Sequence, residues 1–259
     1  MGSAAVAMSL DLNALRDQAN SRIFLSDINE ELVNTYNVLK NQPGQLVRHL
    51  TKLGRDTSET TYYKIREKSA RTDLARAARL IYLNRTCFNG LYRENASGKF
   101  NVPYGKLANP TVCNKPLLLS VSRWLSFVEI SQGSFETGVS DAKSGDLVYF
   151  DPPYLPLSET SHFSQYNASD FGTDDHEKLA SLIRTLTRRG VRVILSNSDS
   201  AATRSIYRNC GLTLRSIRVH RNISAKSSSR IKVRELIGVS YKLSECADPV
   251  AAEKLSRGI

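Results

Sequence analysis

One short motif directly after a run of apolar residues constrains the chain more than any other feature. The run is Leu-Val-Tyr-Phe over 147–150, and the motif is Asp151-Pro152-Pro153-Tyr154. The run predicts a buried strand, and the motif predicts a stiff loop after it, because proline fixes φ and removes a backbone donor. In α/β sheets, ligands bind in the loops that follow the carboxyl ends of strands. The motif therefore favours an α/β protein with a ligand site at residue 151.

The side chains of this motif suit a flat ring that carries an amino group. The Asp151 carboxylate and the Pro152 carbonyl can each accept one amino proton, and Tyr154 offers a face for stacking. These two hydrogen bonds draw electron density onto the amino nitrogen, which makes the nitrogen a better nucleophile toward an electrophilic methyl group. A plain strand-to-loop stop is the alternative interpretation, because Asp and Pro are ordinary turn residues.

The hydrophobic pattern predicts strands alternating with helices, interrupted by one helical insertion. The predicted strands are 22–26, 127–130, 147–150, 191–195, 212–219 and 233–241. Helices are predicted at 29–40 and 175–188, and the pattern stays helical from 43 to about 82. Residues 84–116 are rich in Asn, Gly, Pro and basic residues, which predicts an irregular hairpin or loop. The expected fold is α/β, a doubly wound Rossmann-like sheet with an inserted helical domain.

Charge and cysteine usage narrow the class of partner and the compartment. The chain of 259 residues has 36 Lys and Arg against 25 Asp and Glu, a net charge of +11. This balance favours a polyanionic partner, although an unspecialised basic surface is the alternative. The four cysteines lie far apart without metal-ligand spacing, which fits a reducing cytosol and no zinc site. The start lacks a basic segment before its apolar residues, and no run approaches the ~20 apolar residues of a membrane span, so we expect a soluble, cytoplasmic protein.

Several longer motifs occur in order along the chain. They are Asn-Arg-Thr-Cys-Phe-Asn-Gly-Leu-Tyr-Arg-Glu-Asn over 84–95, Gly-Lys-Phe-Asn-Val-Pro-Tyr-Gly over 98–105, Ser-Asn-Ser-Asp over 196–199, Arg-Asn-Ile-Ser over 221–224, and Ser-Arg over 229–230. Together with residues 151–154, they resemble the DNA adenine methyltransferase (Dam) family, the D12 class of N6-adenine-specific enzymes. The resemblance extends from about residue 2 to residue 241.

The resemblance implies a site-specific DNA-methyltransferase that is adenine-specific. Its cofactor would be S-adenosylmethionine, with no metal, and its partner double-stranded DNA at GATC sites, bound by a monomer. The target adenine would be flipped out of the duplex, because the chemistry cannot reach it within the stack. Such enzymes are either solitary, with roles in replication and mismatch repair, or part of a restriction-modification system.

The cofactor residues follow partly from spacing and partly from the resemblance. Asp27 follows directly after the predicted strand 22–26. In a dinucleotide-type fold, an acidic residue that closes the second strand commonly binds ribose hydroxyls, and Asp27 occupies that place. A helix N-cap is the alternative role for Asp27, one that Asn29 could also fill. The resemblance favours the ribose role. It also implies the cofactor contacts Gly2, Ser3, Ile28, Ser134, Phe135 and Asp151, although relatives usually carry an acidic residue where Ser134 stands.

The resemblance also implies the residues that contact DNA. Leu91 and Arg93 would contact base edges, and Arg is the common bidentate partner of guanine. Asn89 would lie near the place that the flipped base leaves. The remaining expected contacts are to phosphate by Asn95, Lys106, Arg221, Lys226 and Arg230, and a wedge between bases by Leu107.

The domain division implied by the resemblance separates catalysis from recognition. Residues 1–40 and 125–245 would form the catalytic domain, residues 41–124 the target-recognition insert, and residues 246–259 a tail. By the resemblance, the sequence begins inside the family's Phe-x-Gly-x-Gly loop, with Ala where the second Gly stands, and the family's first strand is missing. Either Met1 is a wrongly assigned start, or the gene is truncated. An active GATC methyltransferase and a catalytically inactive DNA-binding remnant are the two functional alternatives.

Overall fold

The computed structural model describes residues 4–10, 21–95, 97–155, 171–220 and 232–242. Two compact units divide the chain, Met1–Gly138 and Val139–Ile259. The described part is a mixed α/β structure, and its strands form one sheet of two strands and one of four. The assignment of roles to 1–40, 41–124 and 125–245 stays a prediction.

The first unit joins two parallel strands to a set of helices. In chain order its elements are α1 (Ala5–Met8), β1 (Ile23–Asp27), α2 (Glu30–Asn41), α3 (Pro43–Leu53), α4 (Glu59–Glu67), α5 (Asp73–Thr86), α6 (Lys115–Leu125) and β2 (Val128–Gln132). The strands pair with Ile23 opposite Val128 and Asp27 opposite Gln132. The two ends Asp27 and Gln132 therefore lie at one edge of this sheet.

Polar caps explain where the helices of the first unit begin. Asn29, Ser58 and Thr72 each precede a helix and accept a hydrogen bond from a backbone N–H in its first turn. Helix α3 begins at Pro43, a residue suited to the first turn because its missing donor has no helical partner there. Between the helices lies a core with Leu46, Tyr62, Ala77, Tyr82 and Leu125 among its most buried members.

The second unit carries a four-stranded mixed sheet. Its elements are β3 (Leu147–Phe150), α7 (Thr173–Arg188), β4 (Arg192–Ser198), α8 (Ala201–Tyr207), β5 (Thr213–His220) and β6 (Lys232–Val239). The strand order is β3-β4-β6-β5, with β3 parallel to β4 and the other pairs antiparallel. Buried side chains of α7 and β4, among them Ile183, Leu186, Val193 and Leu195, form the apolar interior.

The predicted strands are confirmed: the strand at 147–150 has the predicted ends, and the ends of the others differ by one to three residues. Helices α2 and α7 and the helical stretch after Pro43 are also confirmed. Three of the described helices, α1, α6 and α8, were not predicted. Between α5 and α6 the backbone is irregular, with isolated bridges of Cys87 with Tyr104 and of Glu94 with Phe100, as the composition of 84–116 predicts. The described residues also contain two short 3-10 turns, Phe88–Gly90 and Thr137–Val139.

Candidate active site

Asp151 lies beside the end of β4 because of the register between β3 and β4. Phe150 is the last residue of β3 and pairs with Leu195. The next residues on the two strands are Asp151 and Ser196, so the register brings their side chains together. Asp151 is exposed, whereas Ser196 is only 3% exposed. A buried hydroxyl thus stands behind an exposed carboxylate at the carboxyl edge of two parallel strands.

Three side chains form a chain of hydrogen bonds at this edge. The Ser196 hydroxyl donates to Oδ1 of Asp151 at 2.6 Å. The Tyr149 hydroxyl lies 2.9 Å from the Ser196 Oγ. Serine has one proton to donate and a carboxylate only accepts, so Tyr149 must be the donor to Ser196. The Asp151 carboxylate is held through one of its two oxygens.

The far end of the Asp-Pro-Pro-Tyr loop is also tied to β4. The backbone N–H of Leu155 donates to Oδ1 of Asn197 at 3.3 Å, and the Ser198 hydroxyl donates to the Leu155 carbonyl at 2.8 Å. Asn197 and Ser198 are both buried. Residues 196–198 of β4 therefore hold both ends of the loop 151–155. Pro152 and Pro153 restrict the backbone between these two ends.

The two tyrosines of this region are neutral at physiological pH. Burial raises the pKa of Tyr154 to about 12, and the Ser196 hydroxyl opposes this shift. Burial likewise raises the pKa of Tyr149. The Tyr154 hydroxyl donates to Oε2 of Glu235 at 3.4 Å. This bond ties the Tyr154 side chain to β6, and the phenol adds no charge next to Asp151.

A buried histidine lies next to the loop. His176, in the first turn of α7, is fully buried, and its Nδ1 is 2.7 Å from the Tyr207 hydroxyl. Burial lowers the pKa of His176 below its ordinary value of 6.5, and the Pro153 backbone and the Asp175 carboxylate oppose that shift less strongly. The Phe171 ring packs edge-on against the imidazole with centroids 4.8 Å apart. Because its pKa is lowered, the His176 imidazole is neutral in the folded protein at pH 7.

We expect acid to destabilise the fold through His176. The pKa of His176 is lower in the folded state than in the unfolded chain. The contribution of the neutral His176 to the free energy of unfolding is therefore complete above about pH 6.5, and just below that pH only the unfolded chain takes up the proton. The loss continues down to the lowered folded-state pKa, at about 1.4 kcal/mol per pH unit at most. Urea unfolding at pH 7.5 and 5.5 measures it. His176→Gln should lose clearly less stability between these pH values than the wild type, and an equal loss in both contradicts the assignment.

Asp27 and Ser134 lie at the carboxyl ends of the two paired strands β1 and β2. Asp27 ends β1, and its backbone carbonyl accepts a bond from the Gly133 N–H at 3.0 Å. The Asp27 carboxylate accepts from the Asn29 backbone at 2.9 Å, while the Asn29 side chain caps α2. The capping role that was an alternative for Asp27 thus belongs to Asn29. Ile28 is 76% exposed, and the Ser134 hydroxyl accepts a bond from the Thr137 backbone.

The loop between α5 and α6 presents the predicted DNA-contact residues on its surface. The predicted DNA-contact residues of this loop are all exposed; they are Asn89, Leu91, Arg93, Asn95, Lys106 and Leu107. Asn89 and Lys106 have positive φ values of 54° and 51°. Gly105 closes the loop, because its N–H bonds to the Thr86 carbonyl and a Cβ there would lie 2.4 Å from the Cys87 carbonyl oxygen. On the inner side, Phe100 and Val102 are buried against the helices.

Within this loop, Arg93 and Asn95 are held by defined bonds. Arg93 donates from Nε to Oδ1 of Asn101 at 2.7 Å and from Nη2 to the Asn101 carbonyl at 3.3 Å. The Asn95 Oδ1 accepts from the backbone of Ser97 and Lys99, both at 3.0 Å, and so forms the turn at the tip. Neither Tyr149 nor Asn101 was singled out from the sequence, and Ser196 was noted only as part of a motif. The signal for Ser196 is its place after the β4 apolar run.

Several predicted contacts lie outside the described residues. They are Gly2, Ser3, Arg221, Lys226 and Arg230. Among the described residues, no cluster of His, Cys, Asp and Glu side chains could hold a metal ion. None of the described helices is both long and apolar enough to span a bilayer.

Comparison with known proteins identifies the family. The sequence pattern of the D12 class N6 adenine-specific DNA methyltransferases matches residues 1–223. The chain is 40% identical over 231 residues to the type II methyltransferase M1.LlaDCHI of Lactococcus lactis subsp. cremoris, covering 86% of this chain and 81% of that protein. It is 33% identical over 232 residues to the DNA adenine methylase of Escherichia coli (strain K12), covering 86% and 80%. The chain belongs to the family of D12 class N6 adenine-specific DNA methyltransferases.

A third relative shows the same extent of similarity. The type II methyltransferase M.MjaIII of Methanocaldococcus jannaschii is 36% identical over 234 residues, covering 85% of this chain and 80% of that protein. The family that the sequence motifs indicated is therefore confirmed.

Proposed function

We propose that this protein transfers a methyl group from S-adenosylmethionine to N6 of adenine at GATC sites in double-stranded DNA. The observation that carries the proposal is the Asp151 carboxylate, exposed at the end of β3 and held through one oxygen by Ser196. A carboxylate held in this way is a fixed acceptor for an amino proton. Membership of an adenine-specific family makes the N6 amino group of adenine the matching donor.

The roles of the loop follow from the chemistry of an aromatic amine. The Asp151 carboxylate and the Pro152 carbonyl would each accept a hydrogen bond from one N6–H, which raises the electron density on nitrogen. Pro153 keeps the loop rigid, and Tyr154 would stack on the flipped base. After methylation, the nitrogen carries a positive charge and one proton more than the neutral product. This proton then passes to water. No side chain is needed as a separate base.

The residues at the edge of β1 and β2 fit the nucleoside part of S-adenosylmethionine. The Asp27 carboxylate is an acceptor of the kind that ribose hydroxyls need, and the exposed Ile28 side chain suits one face of an adenine. Ser134 and Phe135 follow the neighbouring strand at the same edge. Together with Gly2 and Ser3, these residues would hold the cofactor. When bound, it supplies the electrophilic methyl group.

The exposed loop between α5 and α6 would read the DNA. Arg93 would contact a guanine and Leu91 a neighbouring base edge, with Asn89 near the space that the flipped base leaves. Leu107 is 47% exposed and would wedge between bases. Phosphate contacts would come from Asn95, Lys106, Arg221, Lys226 and Arg230. The net charge of +11 supports such a partner, because each phosphate neutralised releases counterions.

The family also supports a proposal for the architecture. We propose a doubly wound catalytic domain from residues 1–40 and 125–245, with residues 41–124 as the target-recognition insert. The parallel pairing of β1 with β2 supports this division, since the two strands are adjacent in space although helices α2 to α6 lie between them in sequence.

Labelled-methyl transfer tests the proposal directly. The 259-residue chain is incubated with labelled S-adenosylmethionine and a duplex that contains one unmethylated GATC site. We expect label in this duplex, and none in a fully methylated duplex or in one that carries GTAC instead. No incorporation together with retained DNA binding contradicts the proposal and identifies an inactive DNA-binding protein. Equal incorporation into the GTAC duplex contradicts the GATC assignment alone.

A further inference from the structure

We infer that Ser196 is a positioning residue for methyl transfer: it holds Oδ1 of Asp151, so that Oδ2 is the oxygen presented to the amino group. The inference rests on the proposed function and adds to it a residue on a different strand. Ser196 does not touch the substrate in this assignment. It acts through the orientation of the carboxylate.

Burial and register make Ser196 suited to this role. At 3% exposure the hydroxyl is shielded from water that would compete for its proton. The 2.6 Å distance to Asp151 is in the short range typical of an O–H group that donates to a carboxylate. The parallel pairing of β3 with β4 fixes the two backbones next to each other. The carboxylate is therefore oriented before any substrate binds.

Tyr149 extends this arrangement by one further bond. Its neutral phenol donates to the Ser196 Oγ, which turns the serine proton toward Asp151. The hydrogen bond of the Tyr149 hydroxyl goes to Ser196, and the Ser196 hydroxyl bonds to Asp151, so the hydrogen-bonding effect of Tyr149 on the carboxylate passes through Ser196. Bonds in such a chain polarise one another, and their effects are not additive. This order of contacts, Tyr149 to Ser196 to Asp151, makes a quantitative prediction.

The orientation of the Asp151 carboxylate should affect the rate of methyl transfer, because Ser196 holds this carboxylate through one oxygen. Asp151 is exposed, and a free exposed carboxylate samples several rotamers. Displacement of a reacting group by about 1 Å can reduce a rate by about a hundredfold. Loss of the Ser196 bond should therefore lower the rate of transfer and leave the affinity for DNA, which comes largely from phosphate contacts, nearly unchanged.

A double-mutant cycle on the full chain tests the inference. We measure kcat and KM for a GATC duplex with the wild type, Ser196→Ala, Tyr149→Phe and the double variant. Ser196→Ala should lower kcat about ten- to a hundredfold with KM for DNA within about twofold. Tyr149→Phe should lower kcat about threefold. Because Tyr149 acts through Ser196, the double variant should equal Ser196→Ala alone.

Controls separate positioning from folding. Ser181→Ala changes an exposed serine on α7 in the same unit and should keep wild-type kcat. Thermal unfolding of each variant checks that the fold is retained, and Tyr149→Phe removes a single oxygen and so keeps the packing even if Ser196→Ala unfolds. Wild-type kcat in Ser196→Ala, or losses that multiply in the double variant, overturns the inference while the proposed function stands. Absence of transfer in the wild type itself is the separate result that overturns the proposed function.

Discussion

Asp151→Asn is expected to lower the rate of methyl transfer about 10²- to 10³-fold while the protein still binds a GATC duplex with nearly wild-type affinity. The Asn side chain keeps an oxygen that can accept the Ser196 hydrogen bond, so the loop should retain its conformation. It replaces the second carboxylate oxygen by an NH2 group, which faces the amino protons of the substrate as a second donor. Loss of one electrostatic partner of a reacting group commonly costs about 10²- to 10³-fold in rate. Steady-state transfer and gel-shift binding measure the two properties separately.

The matched control is a carboxylate at the other end of the same strand. Asp146 lies just before β3, and its Oδ2 accepts a bond from the Lys143 N–H at 2.9 Å. Asp146→Asn makes the same chemical change and should transfer methyl groups at the wild-type rate. Asp151→Ala should be as inactive as Asp151→Asn. Wild-type transfer by either Asp151 variant contradicts the proposed mechanism, whatever happens to DNA binding.

The local features of this region were predictable from the sequence, because they depend on neighbouring residues. An apolar run of β-branched and aromatic residues followed by Asp-Pro-Pro predicts a strand that ends at residue 150, and the strand ends there. Asp27 at the end of β1 was predicted in the same way. Its capping alternative was decided by the structure, since the side chain of Asn29 is the one that accepts from the first turn of α2.

What was not predictable depends on register between distant segments. Asp151 and Ser196 are 45 residues apart, and only the pairing of Phe150 with Leu195 shows that they meet. A shift of one residue in that pairing would turn the β4 side chains to the opposite face. The bonds of Asn197 and Ser198 to Leu155 depend on the same register.

Two of the missed helices, α6 and α8, have signals that are short or lie in an irregular context. Helix α6 follows a stretch rich in Asn and Pro, although Asn114 as cap and Pro116 in the first turn are ordinary start signals. Helix α8 has only seven residues, and little apolar periodicity can develop over that length. Its cap, Ser200, which accepts from the Thr203 N–H at 3.1 Å, was the available signal.

Arg93→Ala is expected to weaken the choice of sequence more than it weakens DNA binding. Asn101 holds two N–H groups of the guanidinium, which fixes the plane of Arg93 and leaves further N–H groups for a base edge. A bidentate contact to guanine contributes about 1–3 kcal/mol of discrimination. The ratio of kcat/KM for GATC to kcat/KM for a duplex with the guanine pair replaced should therefore fall about ten- to a hundredfold. Competition between the two duplexes in one reaction measures this ratio directly.

Lys106→Gln is the matched control for Arg93, because Lys106 is an exposed cation on the same loop and is proposed to contact phosphate. A lysine that contacts phosphate contributes affinity without sequence information, so its loss should weaken binding to both duplexes alike and reduce the salt dependence. The discrimination ratio should then stay at its wild-type value. If Arg93→Ala instead behaves like Lys106→Gln, Arg93 contacts the DNA backbone, and the guanine must be recognised by another residue of the loop between α5 and α6.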